Sequence, residues 1–139
     1  MEMTITFPGG KRVDASFEGH VVRTDQPVAG GGQGLEAAPF DLFLASLGTC
    51  AGIYVLGFCQ ARGIPTDGVE LVERVQSDPA THLPTTIEID VRVPAGFPEK
   101  YVAAVQHAAE HCKVKKVLAA PPQVHVAVVR EQSIAAQVA

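Results

Sequence analysis

Three cysteines could carry chemistry in this chain: Cys50, Cys59 and Cys112. Cys50 and Cys59 are nine residues apart, which at about 100° per residue places them on opposite faces of any helix that contains both. They are therefore predicted not to react with each other, and Cys59 is expected to be a core residue. If the chain has a reactive pair of thiols, that pair is Cys50 and Cys112.

The surroundings of Cys112 favour a reactive thiol. This residue stands at the predicted start of a short helix, and Lys113, Lys115 and Lys116 follow it. A helix N-terminus and nearby ammonium groups both stabilise a thiolate, so the context predicts a lowered pKa for Cys112. A desolvated Cys50 would need similar help, from an arginine. On composition alone, Cys50 is more commonly a small buried hydrophobic residue than a reactive thiol.

The segment His107-Ala-Ala-Glu110-His111 offers a competing chemistry, because it matches the H-x-x-E-H pattern of inverted zinc proteases. The two histidines lie at i and i+4 on one helix face, as zinc requires, but a third ligand must come from elsewhere. A five-residue pattern also occurs by chance, and 139 residues leave little room for a substrate cleft. We therefore expect no metal site, and metal binding through His107, His111 and Cys112 stays as an alternative.

Alternating apolar residues predict the strands that position these groups. An N-terminal hairpin runs from Met3 to Phe17 around Gly9-Gly10, and a short third strand follows. The cleanest alternation, from Ile87 to Val93, predicts one buried and one wet face. The predicted strands after the hairpin are His20 to Arg23, Val69 to Val75, Ile87 to Val93 and Val124 to Val128.

A long helix is predicted from about Pro39 to Arg62, since proline suits the first turn and Gly63 and Pro65 end it. Twenty of its residues, from Leu42 to Ala61, carry no charge, which is long enough to span a bilayer. Its position between amphipathic strands instead favours a helix buried on all sides inside protein. We expect no membrane association.

One chain of 139 residues has difficulty enclosing such a helix, so a second subunit is predicted to complete its burial. Gly48, Gly52 and Gly57 would allow another helix to approach closely. Two shorter helices are predicted, one starting at Pro98 and one from near Cys112 to Ala120. Runs of strands and runs of helices indicate a single α+β domain over residues 1–139, with a mainly antiparallel sheet.

The bulk composition excludes several classes of function. The net charge is −4 and no basic stripe alternates with aromatic residues, so nucleic-acid binding is not expected. The sequence MEMTITF has neither the positive charge nor the apolar region of a signal peptide, so we expect a cytoplasmic protein. The stretch Gly30-Gly31-Gly32-Gln33-Gly34 lacks the Lys-Ser/Thr of a phosphate-binding loop and is interpreted as a flexible connection.

Two motifs resemble those of the osmotically inducible protein C (OsmC) family. The segment from Pro39 to Cys50, Pro-Phe-Asp-Leu-Phe-Leu-Ala-Ser-Leu-Gly-Thr-Cys, is similar to the family signature in which a Pro-led helix carries the first cysteine. The segment Cys112-Lys-Val-Lys-Lys-Val-Leu118 resembles the second cysteine motif. The resemblance implies an organic hydroperoxide reductase fold, in which two chains interlock around long buried central helices and two active sites form at the interface.

The resemblance also implies a mechanism without a cofactor. Cys50 would attack the peroxide as a thiolate and become a sulfenic acid, Cys112 would resolve it as a disulfide, and a small thiol or dithiol would reduce the pair. Active hydroperoxide reductases carry a Glu after the first Pro and an Arg in the N-terminal strands. Here Phe40 follows Pro39, so Asp41 and Arg12 are the candidates for those roles, with Arg23 in reserve. The alternative is a homodimer of the same fold, without peroxidase activity, that binds a small apolar ligand between its subunits.

Overall fold

The computed structural model describes residues 1–130. The chain begins with an antiparallel three-stranded sheet in the order β1-β2-β3. Its strands are β1 (Thr4–Gly9), β2 (Arg12–Phe17) and β3 (His20–Val22). Gly10, in the turn between β1 and β2, has a φ of 60°, which a glycine adopts without a steric cost. The predicted hairpin and third strand are confirmed.

The glycine-rich stretch that follows is a closely bonded loop rather than a loose connection. The carboxylate of Asp25, a residue only 1% exposed, accepts hydrogen bonds from the backbone N–H groups of Gln26, Gln33 and Leu35 at 2.8–3.2 Å. A Cβ at Gly32 would lie 1.9 Å from the Gln26 carbonyl oxygen, so no larger residue fits there. Asp25 therefore fixes the path of the chain between the first sheet and the long helix.

The long helix is α1 (Pro39–Gln60). It begins where predicted, because proline is preorganised for a first turn and the Asp41 carboxylate accepts the Ala38 N–H at 3.3 Å. It ends two residues before the predicted Arg62, and Gly63 then turns the chain with a φ of 62°. By length and composition α1 could cross a membrane.

A second sheet is formed by the antiparallel strands β4 (Glu70–Ser77) and β5 (Pro84–Arg92). Ile87, Ile89 and Val91 of β5 are partly buried and the charged residues between them are exposed, which confirms the predicted alternation. Two exposed ion pairs cross the outer face, and exposed pairs of this kind contribute little to stability. The inner face is the one that packs on α1.

Two short helices close the structure: α2 (Val102–Glu110), preceded by a 3₁₀ turn at Glu99–Tyr101, and α3 (Lys113–Ala119). The buried core has two parts along α1. One contains Val55, Cys59, Phe97 and Val105. The other contains Leu47, Ala51 and Cys112. Within residues 1–130, no residue of the first sheet belongs to either part, so the two sheets of one chain share no core.

Only one stripe of α1 is buried within a single chain, and the predicted burial on all sides, with a second subunit, stays a prediction. The buried residues follow each other every fourth position: Leu47, Ala51, Val55 and Cys59. Outside this stripe, Ile53 is 58% exposed. Gly48 faces the Glu73 side chain of β4 and not another helix, whereas a Cβ at Gly52 or Gly57 would meet nothing within 4 Å. A second subunit that packed on this face would complete the burial of α1.

The last predicted strand, Val124 to Val128, does not form in the single chain. Residues 121–130 carry no strand, and Val124, Val126 and Val128 are 82–94% exposed. The alternation that led to the prediction is present in the sequence, but a strand also requires a neighbour to accept and donate its backbone hydrogen bonds. No strand of residues 1–130 is paired with this segment.

Candidate active site

Cys50 of α1 and Cys112, the residue that precedes α3, come together in the described structure, and both are free thiols. They meet because Cys50 lies beside the buried stripe of α1, against which Cys112 packs next to Leu47 and Ala51. Cys112 is 1% exposed, and Cys50 is half-buried. The structure thus brings together the two cysteines that the sequence predicted as a pair, and their reactivity stays a prediction.

The environment of Cys50 stabilises its thiolate. The backbone N–H of Val114, in the first turn of α3, makes the largest contribution and lowers the pKa of Cys50. Burial opposes this effect, but the Cys112 thiol, the Lys113 N–H and the positive charge of Lys113 act in the same direction as Val114, so the pKa of Cys50 lies below its ordinary value. Cys50 is therefore the better nucleophile of the pair.

The environment of Cys112 has the opposite effect. Burial is the largest influence and raises the pKa of Cys112; the Lys115 N–H lowers it, and the neighbouring Cys50 raises it further. The sequence predicted a lowered pKa for Cys112, and this prediction is wrong. The helix N-terminus and its first lysine act mainly on Cys50, which reaches them from another helix, while Cys112 is enclosed by the core.

Cys112 has a second, structural role as the N-cap of α3. Its sulfur accepts the Lys115 N–H at 3.5 Å, and its S–H can donate to the Leu47 carbonyl oxygen at 3.7 Å. The thiol carries a single proton, which can point to Leu47 or to the Cys50 sulfur. A protonated Cys112 beside an ionised Cys50 satisfies both sulfur atoms, and it matches the opposite pKa shifts of the two residues.

Cys59 takes no part in this arrangement. It is fully buried with Val55, Phe97 and Val105 in the other part of the core, and burial raises the pKa of Cys59. The prediction that Cys59 is a core residue is confirmed. A neutral, enclosed thiol of this kind is chemically inert.

The structure does not bring Arg12 and Asp41 to the cysteines within one chain. Arg12 lies in β2, where its guanidinium pairs with Asp14 at 3.4 Å. The Asp41 carboxylate accepts the Ala38 N–H at the start of α1. Among residues 1–130, no hydrogen bond or ion pair joins either residue to Cys50 or Cys112.

The proposed zinc ligands do not form a cluster in the described part of the chain. The rings of His107 and His111 are close, with centroids 4.7 Å apart, as their spacing predicted. Cys112 is buried against Leu47 and caps α3, so its sulfur is already engaged. Across residues 1–130, no group of three or more metal-ligating side chains could hold an ion. The three-ligand alternative with Cys112 is therefore not supported.

A groove of about 860 Å³ lies beside Cys112 on the side of the second sheet. It is lined by Leu47, Ala51 and Cys112, by residues along β5, and by Glu110 and Lys115. Its lining mixes apolar residues with polar and charged ones, and a groove of this size suits a small organic molecule. Cys112, and not Cys50, is the cysteine that lines this groove.

Sequence reasoning missed the groups that activate Cys50, because they are backbone N–H groups of Val114 and Lys113 and leave no side-chain signature. It also missed the partly buried carboxylate of Glu73, although the alternation of the strand already predicts that this side chain points inward. Glu73 continues the inward alternation of Leu71 and Val75, and its buried Oε2 atom has no hydrogen-bond partner among the described residues. Burial raises the pKa of Glu73.

Comparison with known proteins gives a consistent result. The family model described as "OsmC-like protein" matches residues 31–127. A crystal structure from Psychrobacter arcticus, described as an osmotic stress induced and detoxification response protein, is similar with a TM-score of 0.66 and 23% identity over 82% of this chain and 85% of that one. No curated protein sequence matches significantly.

A second crystal structure, from Legionella pneumophila, is described as an organic hydroperoxide resistance protein OsmC, predicted redox protein and regulator of sulfide bond formation. It is similar with a TM-score of 0.52 and 16% identity, over 85% of this chain and 89% of that one. At these identities the two structures support the α+β fold with antiparallel sheets and three helices.

Proposed function

Because this chain belongs to the family of OsmC-like proteins, we propose that it is a thiol peroxidase that reduces organic hydroperoxides through Cys50 and Cys112. The observation that carries the proposal is the contact between half-buried Cys50 and buried Cys112 at the start of α3, where the pKa of Cys50 is lowered and the pKa of Cys112 is raised. The relative from Legionella pneumophila, described as an organic hydroperoxide resistance protein, is in accord with it.

The reaction follows from the different states of the two thiols. The Cys50 thiolate attacks the terminal oxygen of ROOH, the O–O bond breaks, and RO⁻ takes up a proton to leave as the alcohol. Cys50 is thereby oxidised by two electrons to a sulfenic acid. The Cys112 thiol then attacks the Cys50 sulfur, a disulfide forms and water leaves. Two equivalents of a small thiol, or one of a dithiol, reduce the disulfide and are themselves oxidised to a disulfide.

We also propose that the protein acts as an interlocked homodimer in the cytoplasm, with one domain per chain. Three features of a single chain support a second subunit: the exposed face of α1 around Ile53, the open space at Gly52 and Gly57, and the exposed valines after α3. A role for Arg12 in activating Cys50 would require the guanidinium to come from the second subunit, since within one chain it pairs with Asp14. A role for Asp41 is proposed on the same condition.

The direct test is mass spectrometry after addition of one equivalent of cumene hydroperoxide to the reduced protein. We expect a fast loss of two hydrogens per chain and a Cys50 to Cys112 disulfide in the peptide map. Cys50→Ser should abolish peroxide consumption, and Cys112→Ser should leave a sulfenic acid that dimedone labels. Cys59→Ala is the matched control, because it removes a thiol from the core without placing a hydroxyl there. Two reduced thiols in excess hydroperoxide would refute the peroxidase.

A second candidate function is a dimer that binds a small apolar ligand without reducing peroxides. The groove of about 860 Å³ beside β5 favours it, as does Phe40 in place of the acid that active reductases carry after Pro39. Ligand binding that survives in Cys50→Ser, together with thiols that stay reduced in hydroperoxide, would support this function over the peroxidase.

A further inference from the structure

Two histidines that thiol chemistry does not use lie one turn apart at the C-terminal end of α2. His107 and His111 are both exposed, and their rings meet edge to face with centroids 4.7 Å apart and planes at 88°. On a helix, positions i and i+4 point in the same direction, which lets two side chains bind one ion. The spacing of His107 and His111 therefore suits two-ligand binding of a metal ion without the cysteines.

The hydrogen bonds of the two rings determine which nitrogen is free. His107 Nδ1 is 3.3 Å from the Glu110 carboxylate, and His111 Nδ1 is 2.9 Å from the His107 carbonyl oxygen. Both partners can only accept, so Nδ1 carries the hydrogen in each ring. In the neutral rings, Nε2 then holds an unshared electron pair. Both histidines thus have the same tautomer, with Nε2 free of hydrogen bonds within the described chain.

This arrangement is the one that metal-ligating histidines usually have. Their second ring nitrogen donates to a carboxylate or a backbone carbonyl, which fixes the tautomer and makes the ligand nitrogen more basic. Here Glu110 provides the carboxylate for one ring, and the helix backbone provides the carbonyl for the other. Glu110 contacts Nδ1 of His107, so it supports a ligand ring and is not itself a ligand.

We infer that His107 and His111 form a two-histidine site for a divalent transition-metal cation such as Zn²⁺, Ni²⁺ or Cu²⁺, with Glu110 as a positioning residue. Imidazole ligands suit these ions, whereas Mg²⁺ and Ca²⁺ prefer oxygen. Water completes the coordination, so the ion exchanges freely and is not a resident cofactor. Cys112 is not a ligand, since its sulfur is buried and caps α3.

The test is a ZnCl₂ titration followed by long-range ¹H–¹⁵N NMR of the histidine side chains, which reports tautomer and metal binding at each ring separately from the thiols. Before zinc, His107 and His111 should both show the Nδ1–H tautomer. During the titration their Nε2 signals should shift together, with one ion bound per chain, while His20 and His82 stay unchanged. MgCl₂ at the same concentration should shift none of them.

Variants test each part of the inference. His111→Ala should weaken zinc binding at His107 at least tenfold, because the chelate is lost. Since His111 lies beside Ile53 and Gly57, the variant is first shown to sediment like the wild type. Glu110→Gln should weaken it about tenfold, since a neutral amide is a poorer acceptor for Nδ1–H. His82→Ala is the matched control. The inference is overturned if His82 shifts as much as His107, if His111→Ala binds zinc unchanged, or if the free rings carry hydrogen on Nε2.

Discussion

At the scale of single residues, the two cysteines are distinguished by which sulfur reaches the first turn of α3. Cys50 comes from another helix and lies at the first turn of α3, where the Val114 and Lys113 N–H groups lower its pKa. Cys112 lies closer along the chain but is enclosed by Leu47 and Ala51. Reactivity is therefore decided by tertiary placement and not by the lysines that follow Cys112 in the sequence.

This difference predicts the pH dependence of Cys50. Its pKa is lowered, so alkylation by iodoacetamide should have its midpoint below the value of about 8.5 for a free cysteine. The thiolate contributes stability that is complete above the unfolded-state pKa and is lost as the pH falls through the lower folded-state pKa. The measurement is the rate of Cys50 labelling against pH, read by mass spectrometry. A midpoint at or above the free value would contradict the assignment.

Val114→Pro tests the cause of the shift. Proline is tolerated in the first turn of a helix but has no N–H, so the largest stabilising contact of the Cys50 thiolate is removed. We expect the labelling rate of Cys50 at pH 7 to fall roughly tenfold, as for loss of a hydrogen bond to a charged group. Val114→Ala keeps the N–H and serves as the control. Equal rates in the two variants would show that the amide is not responsible.

For Glu73 the predicted change of stability with pH is opposite to that for Cys50. Burial raises the pKa of Glu73, so the folded state binds the proton more tightly and stability falls as the pH rises through the interval between the unfolded and folded pKa values. Glu73→Gln should therefore raise the free energy of unfolding by about 1 kcal/mol at pH 7 and have little effect below pH 4. Glu88→Gln, on the exposed face of β5, is the control in urea titrations. Destabilisation by Glu73→Gln at pH 7 would mean that the carboxylate has a cationic partner in the assembly.

At the scale of elements, the loop from Asp25 to Leu35 is held by one buried carboxylate and one glycine. Gly32→Ala would place a Cβ 1.9 Å from the Gln26 carbonyl oxygen, so we expect a loss of about 2–4 kcal/mol. Gly30→Ala meets nothing closer than 3.6 Å and should be nearly neutral. Urea unfolding of the two variants provides the comparison. If both lose the same stability, the close approach at Gly32 is not the cause.

The elements also show what the sequence could predict. The alternation of Ile87, Ile89 and Val91 and the proline at the start of α1 are local signals, and both elements form as predicted. The strand from Val124 to Val128 has an equally good alternation but no partner among the described strands. The strand does not form in one chain because its pairing partner would have to come from elsewhere, and periodicity does not identify that partner. The prediction of a lowered pKa for Cys112 is wrong for a related reason, since its burial depends on residues of α1 that are distant in the sequence.

At the scale of the whole molecule, α1 is the element whose surroundings are incomplete. It is apolar around its circumference, yet one chain buries only the stripe from Leu47 to Cys59. The first sheet shares no core with the rest of the described chain. A small protein with this much exposed apolar surface gains stability by association, because burial of apolar area is the main favourable contribution to folding and assembly. If no second subunit covers the exposed face of α1, that face would suit a lipid environment.

Ile53→Glu decides between these possibilities. Ile53 is 58% exposed in a single chain, so a charge there costs little in an isolated subunit and a great deal at a buried interface, where it would be unpaired. We expect wild-type protein to sediment as a dimer without detergent and Ile53→Glu to sediment as a folded monomer with reduced peroxide consumption. Leu83→Glu, at the turn of the second sheet and 64% exposed, is the matched control and should remain dimeric. A wild-type monomer with full activity would exclude the dimer, and a wild-type protein that requires detergent would assign the exposed face of α1 to a membrane.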